Sequence, residues 1–336
     1  MPFADLVLEG GGVKGSGLVG AVAALQAGDD PYVFKRYAGT SAGAIVAALL
    51  AAGYTTDELK VVMDELDFIL FEDLPKAFRM TAGTKKAGSI IGLVFRRGMY
   101  RTAFMHSWIA DKLKAKGVVT WADLKQDDPG SALPPEQRYR LVVMVSDVSA
   151  GKMRRIPWAF APEYGVDPDD RLVADAVTAS ASIPFFFRPF SFARAKGSAM
   201  IVDGGLLSNY PIDIFDRPDP ENSRWPTIGV KLSARETAVA DEDNVTNSIL
   251  KFAVSVLRTL LGAHDRAYIS NPAFASRTVF VDTTGYSATQ FDLTAADKAT
   301  LYDNGRSSGE AFLRCWDWEL WKKGNYAPII AGTPRA

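Results

Sequence analysis

A serine lies in the pattern Gly39-Thr40-Ser41-Ala42-Gly43, which follows a short apolar run and precedes an apolar helical segment. Small residues on both sides of a serine permit the sharp strand-to-helix turn that raises its hydroxyl above a sheet as a nucleophile. The N-terminus of the following helix favours negative charge at that point. The same pattern also fits a plain serine helix cap with glycines kept for packing, so this segment alone does not establish a nucleophile.

A second glycine-rich segment, Gly10-Gly11-Gly12-Val13-Lys14-Gly15, comes directly after the apolar run Leu6-Val7-Leu8. Glycines at such a turn let backbone amides point into a concavity at a helix N-terminus, which stabilises negative charge. A phosphate or dinucleotide loop is the competing interpretation. It is disfavoured because no acidic residue ends a second strand for a ribose, and because Lys14 is not followed directly by Ser or Thr.

The two segments each close a strand-like run and open a helical one, so together they predict a βαβα unit. Turns at the carboxyl ends of parallel strands share one edge of the sheet, where α/β proteins place their sites. A raised serine beside backbone amides is what acyl transfer requires, since the amides hold the tetrahedral oxyanion. The alternative from a different class is a binding module without catalysis, in which the glycine segment holds an anion.

A nucleophilic serine needs a base, and the chain offers three candidates. His106 lies in a helical pattern, where a packed or surface histidine is the simpler interpretation, and His264 is predicted to lie in a turn or cap between helices. Asp203 ends the apolar run Met200-Ile201-Val202 and is followed by two glycines, which leave its flank open. A strand-ending Asp-Gly turn has the same sequence, so this segment by itself predicts only a turn.

Taken together, these residues resemble the patatin-like phospholipases. Members of that family carry a glycine-rich oxyanion loop after the first strand, a G-x-S-x-G elbow about one βαβ unit later, and a distant Asp-Gly-Gly or Asp-Gly-Ala turn. The resemblance covers about residues 5–215 and is weak in the C-terminal tail. Three signature segments and two flanking stretches carry it: Gly10–Gly15, Gly39–Gly43 and Asp203–Gly205, with Ala179–Phe185 and Asn209–Pro211.

The resemblance implies a catalytic dyad without histidine, in which Ser41 is the nucleophile and Asp203 is its base. Amides of Gly11 and Gly12 would hold the oxyanion, so neither calcium nor any other metal or cofactor is expected. The other implied site residues complete the oxyanion loop, the elbow and the Asp-Gly-Gly turn: Gly10, Lys14 and Gly15; Gly39 and Gly43; Gly204 and Gly205.

The implied reaction is hydrolysis of a fatty-acyl ester of the phospholipase A or lysophospholipase type, through an acyl-Ser41 intermediate. A free aspartate with a pKa of about 3.9 is a weak base toward a hydroxyl, although burial would raise that pKa. A Ser41-Asp203-His264 triad, in the chain order of α/β-hydrolases, is therefore kept as an alternative. An acyltransferase, which passes the acyl group to an alcohol, is another alternative, because nothing in the sequence selects water as the acyl acceptor.

A basic and apolar stretch suggests contact with lipid. Its apolar part is Ser89–Phe95, and the flanking basic residues are Lys85, Lys86, Arg96, Arg97 and Arg101. As a hypothesis, this stretch forms an interfacial lid against anionic headgroups. A buried helix with solvated ends explains the same composition.

The surrounding periodicity predicts an α/β fold: a three-layer α/β/α arrangement with a mostly parallel central sheet, as in patatins. We expect one domain over 1–336, with the core motifs within 5–215, a helical insertion or lid over 55–125, and 216–336 completing the sheet and helices. The predicted strands are 6–8, 33–37, 139–145, 199–202, 227–232 and 277–282; the predicted helices include 18–25, 44–52, 104–113, 244–261 and 295–323.

Composition narrows the class of protein. With 38 Lys and Arg against 39 Asp and Glu, the net charge is −1, so no whole-protein affinity for nucleic acid is expected. A single cysteine, Cys315, permits no intramolecular disulfide and favours a reducing compartment. The longest nearly apolar stretch, Ala42 to Gly53, is too short for a membrane span, and the first residues lack signal-peptide features. We therefore expect a cytoplasmic protein, peripheral at a membrane if the lid hypothesis holds.

Overall fold

The computed structural model describes residues 1–73, 97–128, 130–131, 133–194, 196–219, 222–232 and 270–326. The strands are β1 (Phe3–Leu8), β2 (Val33–Gly39), β3 (Gly98–Tyr100), β4 (Leu141–Asp147), β5 (Lys152–Ile156), β6 (Phe185–Phe187), β7 (Phe190–Ala193), β8 (Ser198–Asp203), β9 (Thr227–Lys231) and β10 (Thr278–Phe280). The α-helices are α1 (Gly15–Leu25), α2 (Ala42–Ala51), α3 (Thr56–Glu65), α4 (Ala103–Ala115), α5 (Val173–Ser180), α6 (Pro272–Ala275), α7 (Ala295–Cys315) and α8 (Trp318–Lys322).

The central sheet is mixed and mostly parallel. Hydrogen bonds link its strands in the sequence β10-β9-β1-β2-β4-β8-β7, and β4 also pairs with β5; β3 and β6 form a separate parallel pair. The strands from β10 to β4 run parallel to their neighbours, whereas β5, β7 and β8 add antiparallel pairings. The predicted α/β fold with a mostly parallel sheet is confirmed.

Strand β4 brings the ends of two other strands together. Val143 of β4 pairs with Gly39 of β2 and also with β5. Because a residue pairs with one strand on each edge, β2 and β5 lie on opposite edges of β4. Val145 likewise pairs with Asp203 of β8 and with β5, so β8 lies on the edge opposite β5 as well. Strands β2 and β8 therefore approach each other along one edge of β4, and the elbow after β2 meets the carboxylate that ends β8.

Apolar side chains cover both faces of the sheet. On one face, Leu6 and Leu8 of β1 join a core with α1, α2, α5 and α7. On the other, Val7 packs in a second core with Tyr210 and Ile212, from the segment after β8. Strands buried on both faces contain near-continuous apolar residues, which is why their sequence does not alternate. Helices α1 and α2 are buried almost all round, as their apolar sequences predict.

Helix α1 lies against α7 at backbone contact. A Cβ on Gly20 would lie 2.0 Å from the carbonyl oxygen of Tyr302, and one on Gly305 would lie 2.0 Å from that of Gly17. Only glycine allows two helix backbones to approach this closely. Since α1 begins at Gly15, the C-terminal helix supports the element that follows the glycine-rich segment.

The C-terminal helical pattern differs from the prediction of one helix over 295–323. Helix α7 ends at Cys315, and α8 begins anew after Asp317, whose side chain accepts a hydrogen bond from the amide of Leu320 at 2.9 Å. The predicted helix over 244–261 lies outside the described residues. Within the described part of the chain, no helix combines the length and apolar character needed to span a bilayer.

Candidate active site

Ser41 occupies a strained turn between β2 and α2. Its φ and ψ are 53° and −123°, a region that residues other than glycine rarely adopt. The turn is tight, since a Cβ on Gly39 would lie 2.4 Å from the carbonyl oxygen of Gly43. Gly39 is the last residue of β2, and Gly43 lies in the first turn of α2. These features are those of a nucleophile elbow.

Asp203 faces this serine from the end of β8. The Ser41 hydroxyl donates a hydrogen bond to Oδ2 of Asp203 at 2.7 Å, and the amide of Gly205 donates to Oδ1 at 2.7 Å. Gly204 and Gly205 form the single turn of 3-10 helix that follows Asp203. Both carboxylate oxygens are thus held, and Asp203 and Ser41 are each 6% exposed.

Burial changes the basicity of Asp203. Desolvation raises the pKa of its carboxyl from 3.8 to about 7, and the hydrogen bonds from Ser41 and Gly205 limit that rise. A carboxylate with a pKa near neutrality accepts a proton from a hydroxyl more readily than an exposed aspartate does. Burial therefore makes Asp203 a stronger base than a free aspartate, whose low pKa was the objection to this role.

The structure describes one of the two histidines, and that one is paired elsewhere. His106 lies on α4, and its Nε2 is 2.8 Å from Oδ1 of Asp175 on α5, so it is a packed, paired histidine. His264 lies outside the described residues. Within the residues that the structure describes, the hydroxyl of Ser41 has Asp203 as its hydrogen-bond partner.

The glycine-rich segment lies next to the serine. A Cβ on Gly10 would lie 3.1 Å from Cβ of Ser41. The amide of Gly10 donates to the carbonyl of Asn209 at 3.2 Å, whereas the amides of Gly11 and Gly12 donate to no group in the described residues. Two unpaired amides beside a serine are suited to receive an oxyanion.

Gly12 owes its conformation to a distant loop. Its φ is +59°, and a Cβ there would lie 1.8 Å from the carbonyl oxygen of Ala288. The same carbonyl accepts the amide of Val13 at 3.1 Å. Residue 288 lies far along the chain, so a contact with the C-terminal third fixes the orientation of the glycine segment.

Lys14 and Gly15 connect the glycine-rich segment to its surroundings. The Lys14 ammonium donates to the carbonyl of Leu232 at 3.3 Å and to the hydroxyl of Thr283 at 3.1 Å. Gly15 is the first residue of α1. Lys14 therefore ties the segment to residues that follow β9 and β10, and a direct role in an oxyanion hole stays a prediction.

Asn209 and Thr40 tie the three motifs together. Nδ2 of Asn209 donates to the carbonyl of Gly10 at 3.2 Å, which with the reverse bond from the Gly10 amide makes a reciprocal pair. The hydroxyl of Thr40 donates to the carbonyl of Ser208 at 3.0 Å. The segment after Asp203 thus holds both the glycine loop and the elbow.

Ser180 is a site residue that the sequence did not reveal. The amide of Ser41 donates to Oγ of Ser180 at 2.9 Å, and that hydroxyl donates to the carbonyl of Met144 at 2.6 Å. Ser180 is fully buried at the end of α5. Met144 lies in β4 between Val143, which pairs with Gly39, and Val145, which pairs with Asp203. The Met144 carbonyl at this edge of β4 therefore accepts the Ser180 hydroxyl. Ser180 lies in the flanking Ala-Ser-Ala-Ser stretch, which was the only available signal.

A buried ion pair lies directly behind the glycine loop. Lys231, the last residue of β9, donates to Oε1 of Glu9, and the amide of Leu232 donates to Oε2. Glu9 is 2% exposed and Lys231 is 1% exposed. Because neither charge is left unpaired, the pair can lie in the interior and fix the end of β1 to the end of β9.

An apolar pocket opens beside Ser41. Its cavity volume is about 40 Å³, and every lining residue other than Ser41 is apolar or glycine. The lining residues are Gly12, Val13, Gly15, Ser41, Ala42, Ile45, Val46, Met63, Leu66, Phe68, Phe71, Met105, Ala181, Ile183, Phe187 and Phe291. The apolar lining is of the kind that binds hydrocarbon groups, and the cavity as it stands is small.

Comparisons with known proteins agree with this geometry. A family model described as patatin-like phospholipase matches residues 6–216. The chain is 36% identical over 316 residues to the uncharacterized protein YqhO of Bacillus subtilis, covering 94% of this chain and 100% of that protein. It is 27% identical over 210 residues to the cUMP-AMP-activated phospholipase of Escherichia coli, covering 61% of this chain and 55% of that protein.

The fold also matches a crystal structure of VipD from Legionella pneumophila. The TM-score is 0.50 at 18% identity, and the match covers 92% of this chain and 66% of VipD. The chain thus spans 55% of the Escherichia coli phospholipase and 66% of VipD, and both of those proteins are longer. The family match contains all three motifs, and the chain belongs to the patatin-like phospholipase family, whose activity is lipid hydrolysis.

Proposed function

We propose that this protein hydrolyses fatty-acyl esters of glycerolipids, as a phospholipase A or lysophospholipase, with Ser41 as nucleophile and Asp203 as base. The observation that carries the proposal is the hydrogen bond of 2.7 Å from the Ser41 hydroxyl to a buried carboxylate. The amides of Gly11 and Gly12, which have no partner among the described residues, and an apolar pocket on the same serine support it.

Acylation begins when Oγ of Ser41 attacks the ester carbonyl and its proton passes to Oδ2 of Asp203. The carbonyl oxygen becomes an oxyanion that accepts hydrogen bonds from the amides of Gly11 and Gly12. One such donor is worth about 3 kcal/mol of transition-state stabilisation. Collapse of the intermediate breaks the ester bond, and the departing alcohol takes the proton from Asp203.

Deacylation repeats these steps with water. Asp203 accepts a proton from water as the water oxygen attacks the acyl-serine carbonyl, and the proton returns to Ser41 as the fatty acid leaves. The same carboxylate thus serves as base and then as acid in each half-reaction. A pKa of about 7 suits a group that must be ionised in one step and protonated in the next.

The acyl chain is proposed to occupy the apolar pocket. Met63, Phe68 and Phe71 form part of its wall, and among the described residues no polar side chain other than the serine lines it. Burial of each methylene is worth about 0.8 kcal/mol, so the apolar lining favours a fatty-acyl group over acetate. The expected partner is a membrane lipid or another fatty-acyl ester.

Active-site labelling combined with turnover tests the proposal. Wild type and Ser41→Ala, Asp203→Asn and His264→Ala variants are treated with a fluorophosphonate and assayed on p-nitrophenyl acyl esters and phospholipids. Ser16→Ala is the matched control, because Ser16 is also a buried serine and its hydroxyl has no hydrogen-bond partner in the described residues. We expect labelling of wild type and Ser16→Ala but not of Ser41→Ala, and loss of turnover in Asp203→Asn.

Other outcomes point elsewhere. Loss of turnover in His264→Ala would assign the reaction to a triad. Transfer of the acyl group to added lysolipid, in preference to water, would make the protein an acyltransferase. Failure of folded wild type to label would refute the acyl-serine mechanism and favour an anion-binding module.

A further inference from the structure

Two exposed apolar side chains lie at one wall of the pocket. The residues Phe68–Phe71 form a single turn of 3-10 helix in which the first and last side chains are buried and line the pocket. The two between them, Ile69 and Leu70, are 48% and 50% exposed. This short turn therefore presents one pair of apolar side chains to the active-site pocket and the other pair to solvent.

A third exposed apolar side chain lies at the other wall. Phe185 is 39% exposed, whereas Ile183 and Phe187, two residues away on either side, line the pocket. The φ of Phe185 is +68°, which is unfavourable for an aromatic residue. Its neighbour Phe186 stacks on Phe291, another lining residue, with ring centroids 5.2 Å apart. The neighbours are thus fixed in the pocket wall while Phe185 points to solvent.

A basic residue precedes the strand that pairs with β6. Gly98 of β3 pairs with Phe185 of β6, so the backbone of Arg97 lies near that of Phe185. Arg97 is exposed and has no carboxylate partner in the described part of the chain; its guanidinium is 3.7 Å from the Met200 sulfur. A guanidinium without a carboxylate partner is available to bind a phosphate.

We propose that Ile69, Leu70, Phe185 and Arg97, here called the mouth patch, bind the surface of a phospholipid bilayer or micelle. The apolar members enter the acyl region and Arg97 binds a headgroup phosphate. The inference rests on the proposed function, because it names the surface from which that function draws its substrate. A lipid surface is favoured over a protein partner because the exposed apolar side chains are continuous with the apolar pocket that holds Ser41. An acyl chain passing from a lipid layer to the serine would meet apolar side chains all the way.

The binding test uses a catalytically inert background. Ser41→Ala protein, with and without Ile69→Ser, Leu70→Ser or Phe185→Ser, is floated with vesicles of phosphatidylcholine mixed with phosphatidylglycerol. We expect each substitution to weaken binding about tenfold, because each removes a large apolar side chain from the lipid contact. Val119→Ser and Leu172→Ser are the matched controls, since these residues are 45% and 39% exposed but do not line the pocket mouth, and they should bind like the parent.

Charge gives a second readout. Arg97→Gln should weaken binding to vesicles containing phosphatidylglycerol, and this loss should shrink at high salt because screening already weakens the contact. Binding of the patch variants that equals that of the parent, or an equal loss in the Val119 and Leu172 controls, would overturn the proposal.

Turnover separates this inference from the proposed function. With Ser41 restored, the ratio of vesicle turnover to turnover of a soluble short-chain ester should fall about tenfold in the patch variants. An unchanged ratio would overturn the mouth patch and leave the hydrolase intact. If the wild type binds vesicles through the mouth patch but hydrolyses no ester, the proposed function is refuted and the mouth patch still stands.

Discussion

Asp203→Asn is expected to abolish activity and at the same time stabilise the protein above neutral pH. Asparagine has the shape of aspartate, and its carbonyl oxygen can still accept the Gly205 amide. Its NH₂ group would donate to the Ser41 hydroxyl, which can reverse its role and act as acceptor. The substitution therefore removes a buried charge and keeps the hydrogen bonds.

The size of the effect follows from the pKa of Asp203. The pKa rises from 3.8 in the unfolded chain to about 7 in the folded protein, a difference of about three pH units. At about 1.4 kcal/mol per unit, ionisation of Asp203 costs the folded state about 4 kcal/mol. A raised pKa contributes stability that is complete below pH 3.8 and is lost as the pH rises through about 7.

The asparagine variant lacks this loss, so its stability relative to wild type should increase between pH 4 and pH 8. With an unfolding entropy of about 2.1 cal/mol/K per residue, about 4 kcal/mol corresponds to a relative gain in Tm of about 6 °C. The assay is thermal and urea unfolding of both proteins across this pH range. Equal differences in Tm at pH 5 and pH 8.5 would refute the view that burial raises the pKa of Asp203.

Asp297→Asn provides a control, because the pKa of Asp297 is lowered whereas that of Asp203 is raised. Asp297 belongs to the capping box of α7, and hydrogen bonds from Thr294 lower its pKa. Its contribution to stability is therefore present above the unfolded pKa and already complete at pH 5. The Tm difference between this variant and wild type should not change from pH 5 to pH 8.5.

Four further predictions concern the serine, the loop, the pocket and the base. Ser180→Ala leaves the Ser41 amide without its partner, so kcat should fall with little change in KM, and the protein should lose about 1–3 kcal/mol of stability. Steady-state kinetics measure the first effect, and recovery of kcat in Ser180→Thr would show that the hydroxyl positions Ser41. Gly12→Ala should prevent fluorophosphonate labelling, because φ is +59° and the methyl group would overlap the Ala288 carbonyl; normal labelling in a folded variant would contradict the close approach. Met63→Ala enlarges the pocket and should raise the ratio of long-chain to short-chain ester turnover, and an unchanged ratio would place the acyl chain elsewhere. With Asp203 as base, kcat/KM in wild type should rise with pH through about 7, and a pH–rate profile with an ascending limb near pH 4 would contradict this.

The motifs could be located from sequence because each one ends a strand, and strand ends are local features. Ser41 and Asp203 were both placed at such ends, and the structure brings them within 2.7 Å. What joins them is not local: β2 and β8 meet only because both pair with one edge of β4. The sequence separation of these strands carries no information about a shared edge.

Contacts between residues far apart in the chain also could not be predicted from the sequence. The Ala288 carbonyl approaches Gly12, and Ser180 accepts the Ser41 amide, although neither residue has a type that attracts attention. The sequence placed Lys14 in the glycine-rich loop but did not indicate its side-chain partners, which include Leu232 and Thr283. The direction of a flexible side chain depends on partners that only the folded chain supplies.

The glycine contact between α1 and α7 limits how this protein can be cut. The family match ends at residue 216, yet β9 lies directly beside β1, and α7 lies on the backbone of α1. A fragment trimmed to the matched residues would lack both neighbours, and α1 would expose Gly17 and Gly20 to water. Expression boundaries, fusion partners and domain grafts that keep all three motifs but discard the C-terminal third should therefore yield an unstable fragment rather than a minimal enzyme.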